Sequence, residues 1–410
     1  MLARWLGLPA IAAAITAASG CGGTGTSTAN SAVGSQLAIY SSLPLQGPNA
    51  AVSQQIVNGE KLALSDVGGH VGRFKIGYVS LDDSSPTSGQ SSPSATATDA
   101  KTAAQDPATI AYLGEFDSAA TALSVTLTNA AGIPQVSPSS PYVGLTQALD
   151  AGQDEPARFY LSGHHTFARL QPGDPVEAAA QVQLMRSLGI HSVYVLDDRD
   201  PFQAPLAQIL ASDATQAGIA VAGTDHLSVT AGANYSGEAE KIIESKAQAV
   251  LFSGRGGAAA AALWSQLHAA APHLLLLGGS ATLDETFTAN LGSAGAATYM
   301  TTPLLALGLY PPAAQRVLRL YRRDFGSEAN AYALYGYEAM SVVLSAIRRA
   351  GSRGNDRAVV LAQLLSTRNR DSVLGRYSIE PDGEPTFSRY GVDRVLGGQP
   401  VFYRAIAVKR

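Results

Sequence analysis

Hydroxyl-bearing residues follow two neighbouring strands of the predicted fold, at the point where each strand ends. Ser118 comes shortly after the apolar run Ile110–Leu113, and Ser139 and Ser140 come directly after the run Gln135–Ser137. The carboxyl ends of parallel strands meet at one edge of a sheet, where ligands bind and helix N-termini offer N–H donors to anionic groups. The spacing therefore predicts a crevice that binds a ligand by hydrogen bonds.

A helix must position Ser118. Small residues recur with a helical period from Ala119 to Ala130, Gly132 ends the helix, and Pro134 opens the next strand. Serine is also a frequent helix N-cap, so Ser118 has a local alternative role as the cap of this helix.

The same order of strand, loop and helix recurs along the chain. Further apolar runs that end in polar turns are Leu37–Leu43, Phe74–Leu81, Ser192–Leu196, Ile219–Thr224, Ala249–Phe252 and Leu274–Leu277. Parallel crossovers need helices on both faces of a sheet. The sequence therefore predicts an α/β fold of two Rossmann-like lobes. It also predicts a strand at Arg158–Leu161, a surface loop at Ser84–Thr98 and a helix at Leu283–Leu291.

Composition excludes some classes of function. The 410 residues suffice for two or three domains and carry a formal net charge of −4, with no basic patch, so nucleic acid is not an expected partner. The sequence has no G-x-S-x-G, phosphate-loop or H-E-x-x-H motif, which lowers the odds of an enzyme. His164 and His165 have no ligand partner at zinc-type spacing, so neither a metal nor a cofactor is predicted.

The N-terminal residues predict export and anchoring. Leu6–Ala18 is apolar but too short to span a bilayer as a mature anchor. The following Ala18-Ser19-Gly20-Cys21 resembles the lipobox of bacterial lipoproteins, which predicts a signal peptide over 1–21, a lipidated Cys21 and a flexible tether over 22–36. The alternative is that Cys21, the only cysteine, is an incidental leader residue.

The stretch Gly114–Thr146 carries a family resemblance. Its patterns G-x-x-x-S-x-x-T, A-G-I-P-x-V-S-P-S and G-L-T resemble the type I periplasmic-binding fold. Within that fold the likeness is to leucine/isoleucine/valine-type solute-binding proteins of ABC transporters, and it extends from about Leu37 onward. The resemblance implies two lobes joined by a hinge that the chain crosses three times. Lobe one would take 37–153 and 283–374, and lobe two 154–282 and 375–410.

The resemblance also implies roles for individual residues. Ser118 would bind the ligand carboxylate, Ser139 and Ser140 its α-carboxylate and α-amine, and Phe202 would cover the ligand, although a core role for this phenylalanine is an equal alternative.

Three further matched positions depart from the family pattern. Arg255 stands where relatives place an aromatic residue, and could clamp a carboxylate or lie exposed in its loop. Ser280 replaces a glutamate that meets the ligand's ammonium group. Pro141 replaces a threonine and offers neither a hydroxyl nor an N–H. Pro141 and Ser280 therefore argue against a leucine-like ligand, whereas Arg255 favours a carboxylate-bearing one.

We expect an extracytoplasmic lipoprotein, on the outer face of the cytoplasmic membrane, that captures a small polar solute for separate permease subunits. Hinge closure around the ligand would create the surface that the permease recognises. Two alternatives remain. One is a ligand-sensing receptor of the same fold that signals to a membrane partner, and the other, less favoured, is a secreted α/β enzyme.

Overall fold

The computed structural model describes residues 31–86 and 90–408. The predicted lipidation site Cys21 and most of the predicted tether lie outside the described residues. Within those two ranges, no helix is both long enough and apolar enough to cross a membrane.

One sheet is built from the N-terminal part of the chain and has the strand order β2-β3-β1-β4-β5-β6. Its strands are β1 (Gln36–Leu43), β2 (His70–Val71), β3 (Phe74–Asp82), β4 (Thr109–Leu113), β5 (Gln135–Ser137) and β6 (Phe167–Arg169). All neighbours pair in parallel except β2, which is antiparallel to β3. Every residue of β4 is buried, as expected for a central parallel strand covered by helices on both faces.

A second sheet repeats this arrangement and adds an antiparallel edge, with the order β15-β14-β11-β10-β9-β7-β8. Its strands are β7 (Ser192–Asp197), β8 (Ala220–His226), β9 (Ala249–Ser253), β10 (Leu275–Gly278), β11 (Thr298–Thr302), β14 (Arg389–Leu396) and β15 (Gln399–Ala407). The short strands β12 (Arg370–Ser372) and β13 (Gly375–Tyr377) pair with each other.

Helices flank both sheets. They are α1 (Ala50–Asp66), α2 (Pro93–Gln105), α3 (Ser118–Ala130), α4 (Asp174–Ser187), α5 (Ala204–Gln216), α6 (Ser236–Glu244), α7 (Ala258–Ala270), α8 (Glu285–Ala289), α9 (Pro312–Phe325), α10 (Ala331–Ala350) and α11 (Arg357–Leu365). Helices α1, α9, α10 and α11 share one core with β1, β3 and β4, whereas α4, α5 and α7 contribute to the cores around the second sheet. The predicted α/β class with two parallel-dominated sheets is confirmed.

The predicted bounds of the lobes assign two strands to the wrong sheet. The expected strand at Arg158–Leu161 is absent, because Ala157–Phe159 form a 3-10 helix, and the strand instead forms at Phe167–Arg169 and pairs with β5. Thr298–Thr302 pairs with β10 in the second sheet. Strand pairing therefore moves the first passage between the sheets to a point after Arg169, and the second to a point after Thr302.

Three local predictions also change. Ser31 bridges to Asp356 and Ala32 is buried, so the last residues of the predicted tether contact the first lobe. Helix α2 begins at Pro93, inside the stretch predicted as a loop, because a proline is well tolerated in the first turn. The helix expected over Leu283–Leu291 is limited to α8.

Helices α1 and α10 approach each other closely where two glycines meet backbone. A Cβ on Gly59 would lie 2.0 Å from the carbonyl oxygen of Ala333, and one on Gly336 would lie 2.1 Å from that of Ile56.

We expect Gly336→Ala to lower the free energy of unfolding by about 1–3 kcal/mol, because the helices must separate. Urea denaturation would measure the change.

The matched control is Gly237→Ala in α6, where a Cβ would meet nothing within 4 Å. Alanine is the better helix former there, so this variant should be neutral or more stable. Equal losses in both variants would show that the close approach of α1 and α10 does not limit the residue at 336.

Candidate functional site

In each sheet, the strand that comes first along the chain lies at an inner position, with later strands on both sides. In the first sheet β1 lies between β3 and β4, and in the second β7 lies between β8 and β9. Connections leave such a point toward opposite faces of the sheet, which opens a crevice at the carboxyl ends of the strands. The loops at these two points contain Ser118, Phe202 and Arg255.

Ser118 is the first residue of α3 and is buried, but it does not cap the helix. The cap is Asp117, whose Oδ1 accepts from the backbone N–H of Ala120 at 2.9 Å. The hydroxyl oxygen of Ser118 instead accepts from the N–H of Tyr142 at 3.3 Å. The alternative role of Ser118 as the N-cap of α3 is therefore wrong. Its hydroxyl instead connects the segments that follow β4 and β5.

Ser139 and Ser140 connect the loop after β5 to the segment after β4. The hydroxyl of Ser139 donates to the carbonyl oxygen of Phe116 at 2.7 Å. Ser140 is fully buried, and its hydroxyl lies 2.5 Å from that of Thr121. Both backbone N–H groups donate to the hydroxyl of Ser137. The two serines therefore already have partners within the protein, and they shape the crevice wall.

Phe202 contacts the first lobe directly. Its ring meets the ring of Tyr142 edge-on, with centroids 5.0 Å apart. Tyr142 is the residue whose N–H contacts Ser118, so one tyrosine links Ser118 to Phe202 across the crevice. No sequence pattern singled out Tyr142.

Arg255 is half-exposed and already paired with carboxylates of its own lobe. Its Nε donates to Asp200 at 2.7 Å, and its backbone N–H donates to Asp198 at 2.8 Å. Burial alone would lower the pKa of Arg255, but the bond and charge of Asp200, and then the charge of Asp117, raise it. A ligand carboxylate would have to compete with Asp200 for this guanidinium group.

Ser280 contacts a glutamate that the sequence did not reveal. Its backbone N–H and its hydroxyl each donate to the carboxylate of Glu177, both at 2.7 Å. Glu177 lies in the first turn of α4 and is fully buried. Burial raises the pKa of Glu177, while the bonds from Ser280 oppose that rise. The position that lacks the family's acidic residue is therefore adjacent to an acidic residue from another element.

An aromatic pair lies on the first lobe. The ring of Tyr332, in the first turn of α10, lies 5.9 Å from that of Phe116. Burial, and then the negative charge of Glu177, raises the pKa of Tyr332 to about 12.

Buried carboxylic acids lie beneath the loops after β3 and β4. Asp83 and Glu115 are both 0% exposed, and Asp83 Oδ1 and Glu115 Oε2 have no hydrogen-bond partner among the described residues. Burial raises the pKa of Asp83 to about 7, despite a bond from Thr96. Burial and the nearby charge of Asp83 raise the pKa of Glu115 well above its usual range. In the described chain, no group of three His, Cys, Asp or Glu residues is arranged to hold a metal ion.

A buried ion pair ties together two of the segments that connect the sheets. Arg169, 0% exposed at the end of β6, donates through Nε to Glu384 at 2.7 Å. Its Nη1 donates to the carbonyl oxygens of Ser140 and Tyr142 at 2.7 and 2.8 Å, and its Nη2 to the hydroxyl of Thr146. Glu384 lies on the segment that returns toward β14, so the pair fixes two of the three passages between the lobes.

The comparisons with known proteins agree with this fold. The family model described as periplasmic binding protein matches residues 41–393. The chain belongs to the periplasmic binding protein family. Members of this family are extracytoplasmic solute-binding proteins and not enzymes, so the recognised family, the extracytoplasmic location and the non-enzymatic class are confirmed. A comparison with curated proteins found no match.

Solved structures show the same fold at low sequence identity. The leucine-binding protein LivK from Thermotoga maritima is 21% identical with a TM-score of 0.73, over 90% of this chain and 99% of that one. The branched-chain amino acid transporter substrate-binding protein LivJ from Streptococcus pneumoniae, in complex with isoleucine, is 18% identical with a TM-score of 0.70, over 92% and 100% of the two chains. An ABC transporter solute-binding protein from R. palustris, in complex with benzoate, is 16% identical with a TM-score of 0.69, over 91% and 97%.

The ion pair at the hinge predicts a large mutational effect. Glu384→Gln would leave the Arg169 guanidinium buried without its counter-charge, and we expect a loss of about 3–5 kcal/mol in the free energy of unfolding. Urea denaturation would measure it.

The control is Asp371→Asn, which breaks an ion pair to Arg376 with both side chains at least 67% exposed. That change should cost less than about 1 kcal/mol. Equal losses in the free energy of unfolding would show that the buried Arg169–Glu384 pair contributes no more to stability than an exposed ion pair.

The buried acids predict a stability that falls as pH rises. The pKa of Asp83 in the folded chain, about 7, exceeds its value of 3.8 in the unfolded chain. Its contribution is therefore fully present below about pH 4 and is lost as pH rises through about 7. We expect Tm to fall between pH 5 and pH 8, and Asp83→Asn to flatten that slope. Thermal unfolding at each pH would measure both.

The exposed Glu244→Gln serves as the control, because this side chain lies in solvent and should leave the slope unchanged. A slope that Asp83→Asn did not alter would mean that Asp83 ionises equally in the folded and unfolded chains.

Proposed function

We propose that this chain is the solute-binding component of an ABC transporter, and that it captures an amino acid or a related small polar compound between its two lobes. The observation that supports the proposal is the presence of two like sheets, each with a switching point, near which Ser118, Phe202 and Arg255 follow strands. The ring contact between Tyr142 and Phe202 joins residues that follow strands of different sheets, and the Arg169–Glu384 pair ties together two of the segments that connect the sheets.

The structural neighbours support this reading by the nature of their ligands. LivJ from Streptococcus pneumoniae is bound to isoleucine, and the R. palustris protein is bound to benzoate. Solutes of this size and polarity match a crevice lined by hydroxyls, aromatic rings and a few charges. We therefore propose that Ser118, Phe202, Arg255 and Ser280 contact the solute, and that Ser139 and Ser140 set the shape of its site.

The partners follow from the same proposal. The solute-loaded chain would dock on separate permease subunits, and lipidation at Cys21 would hold it at the outer face of the cytoplasmic membrane. Metabolic labelling with a fatty-acid probe would test the anchor, since Cys21→Ser should abolish incorporation of the label.

A thermal-shift screen against amino acids, amides, short peptides and organic acids tests the binding function. A ligand that binds only the folded chain stabilises it by roughly 2.7 kcal/mol at a hundredfold excess over its dissociation constant. A rise in Tm with one class of compound, without turnover of that compound, is the expected result. A well-folded chain whose Tm rises with none of them would contradict the proposal.

Phe202 provides the mutational prediction for this site. We expect Phe202→Ala to weaken binding of the compound found in the screen by roughly tenfold to a hundredfold, because an apolar ring is lost from the contact between the lobes. Isothermal titration calorimetry would measure the affinity. Phe402→Ala, a half-buried phenylalanine on β15, is the matched control and should bind normally. Equal affinities in the two variants would remove Phe202 from the site.

A further inference from the structure

Four exposed arginines lie at one end of the first lobe, where α10 ends and α11 begins. They are Arg73, Arg348, Arg349 and Arg353, the arginine surface. Arg348 and Arg349 occupy the last turn of α10. Arg73, in the turn between β2 and β3, donates through Nη2 to the carbonyl oxygen of Ser352 at 2.9 Å, which holds it beside Arg353. Four positive groups therefore share this end of the lobe.

The arginine surface has more cations than carboxylates. Arg353 pairs with Asp356 at 2.7 Å, and that carboxylate also caps α11. Among the described residues, no aspartate or glutamate forms an ion pair with the other three arginines. Arg349 donates to a neutral group, the hydroxyl of Thr367, at 3.1 Å. Burial, and then the positive charge of Arg370, lowers the pKa of Arg349, as expected for a cation without a counter-charge.

The sequence around this surface has the opposite sign from the whole chain. The chain carries a formal net charge of −4, whereas residues 345–357 contain four arginines and one aspartate. One of the four, Arg357, points inward, since it is 6% exposed and its Nε donates to the carbonyl oxygen of Thr109 at 2.8 Å. Residues 1–30 contain no aspartate or glutamate, so they hold no carboxylate for the exposed arginines. A partner that matches this surface has to bring negative charge.

The N-terminal segment joins the folded lobe beside the arginine surface. Ser31 forms a bridge with Asp356, and the N–H of Ala32 donates to the carbonyl oxygen of Asn355 at 2.7 Å. Ten peptide steps separate Cys21 from Ser31, so the chain between them spans at most about 36 Å. A lipid on Cys21 would therefore hold this end of the lobe within that distance of the headgroups.

Arginine is well suited to phospholipid headgroups. The planar guanidinium group binds phosphate with two parallel hydrogen bonds. Anionic lipids attract basic side chains only within about a Debye length, about 8 Å at physiological salt. Such a surface is effective when the chain is already held near the membrane, which is what an anchor close to the arginines provides.

We propose that the arginine surface rests on anionic phospholipid headgroups and orients the first lobe on the membrane that carries the chain. Arg348 and Arg349 also have a local role, because basic residues in the last turn of a helix stabilise its dipole. That role alone would change Tm and leave the attraction to lipid unchanged. Binding to vesicles therefore separates the two roles.

Partition of the full chain into vesicles tests the surface. The vesicles consist of phosphatidylcholine, alone or mixed with phosphatidylglycerol, and the readout is the ratio of the two partition coefficients. We expect the mixed vesicles to bind more chain, by a ratio that falls as salt is added. Arg348→Gln with Arg353→Gln should lower the ratio by roughly tenfold to thirtyfold, at about fivefold for each basic residue. Arg348→Lys with Arg353→Lys should preserve it, since both charges remain.

The matched control is Arg186→Gln with Lys246→Gln, which removes two exposed positive charges from the second lobe and should leave the ratio unchanged. If Arg353→Gln loosens the cap of α11, Arg348→Gln alone keeps the test decisive, with a loss of about fivefold expected.

Three outcomes would overturn the proposal. The first is a parent chain that binds both kinds of vesicle equally. The second is an equal loss in the control, which would mean that only the net charge of the chain counts. The third is an unchanged ratio with weaker assembly of the arginine variant on permease subunits, which would assign the surface to a protein partner. The assay needs neither a solute nor a lipid on Cys21, so none of these outcomes bears on solute binding.

Discussion

The buried guanidinium of Arg169 is the interaction on which the crevice depends. Its Nε reaches Glu384, its Nη1 reaches two backbone carbonyls of the loop after β5, and its Nη2 reaches Thr146. A charge removed from water is costly unless it is paired and its donors are satisfied. Because each of its three nitrogens has a partner, the group holds the Ser140–Thr146 loop in one position while joining two of the segments that connect the sheets. The geometry around Ser118 and Tyr142 follows from that position.

Much of the fold could be predicted because its signals are local. Apolar runs followed by glycine-rich or polar turns placed β4, α3 and β5 to within a residue or two. The strand Phe167–Arg169 was missed because it ends in an arginine and follows a polar loop, so its three residues carry no periodic signal. Its burial depends on Glu384, which lies 215 residues later in the chain. No local pattern reports a partner at that distance.

The same distinction between local signals and distant partners applies to the site. Ser118, Phe202 and Arg255 could be proposed from the sequence, because each follows a strand at a switching point. Glu177 could not, since it lies 103 residues before its partner Ser280 and looks like an ordinary acidic residue in the first turn of a helix. The sequence also could not show that Arg255 is bound by Asp200, or that Ser140 faces the interior. Residue type at a loop is predictable, whereas the direction and partner of the side chain depend on the whole fold.

The balance of charge then limits what the crevice can hold. In a medium of low dielectric constant, an interaction between charges is stronger than in water, and so is the penalty for leaving one alone. Arg255 has its carboxylate, so a further anion would gain little from it. Glu177 is stabilised only by neutral donors, and its raised pKa records the cost of that arrangement. Any polar group that the closed lobes enclose must therefore be matched by donors and acceptors already present in the crevice, because water is no longer there to satisfy it.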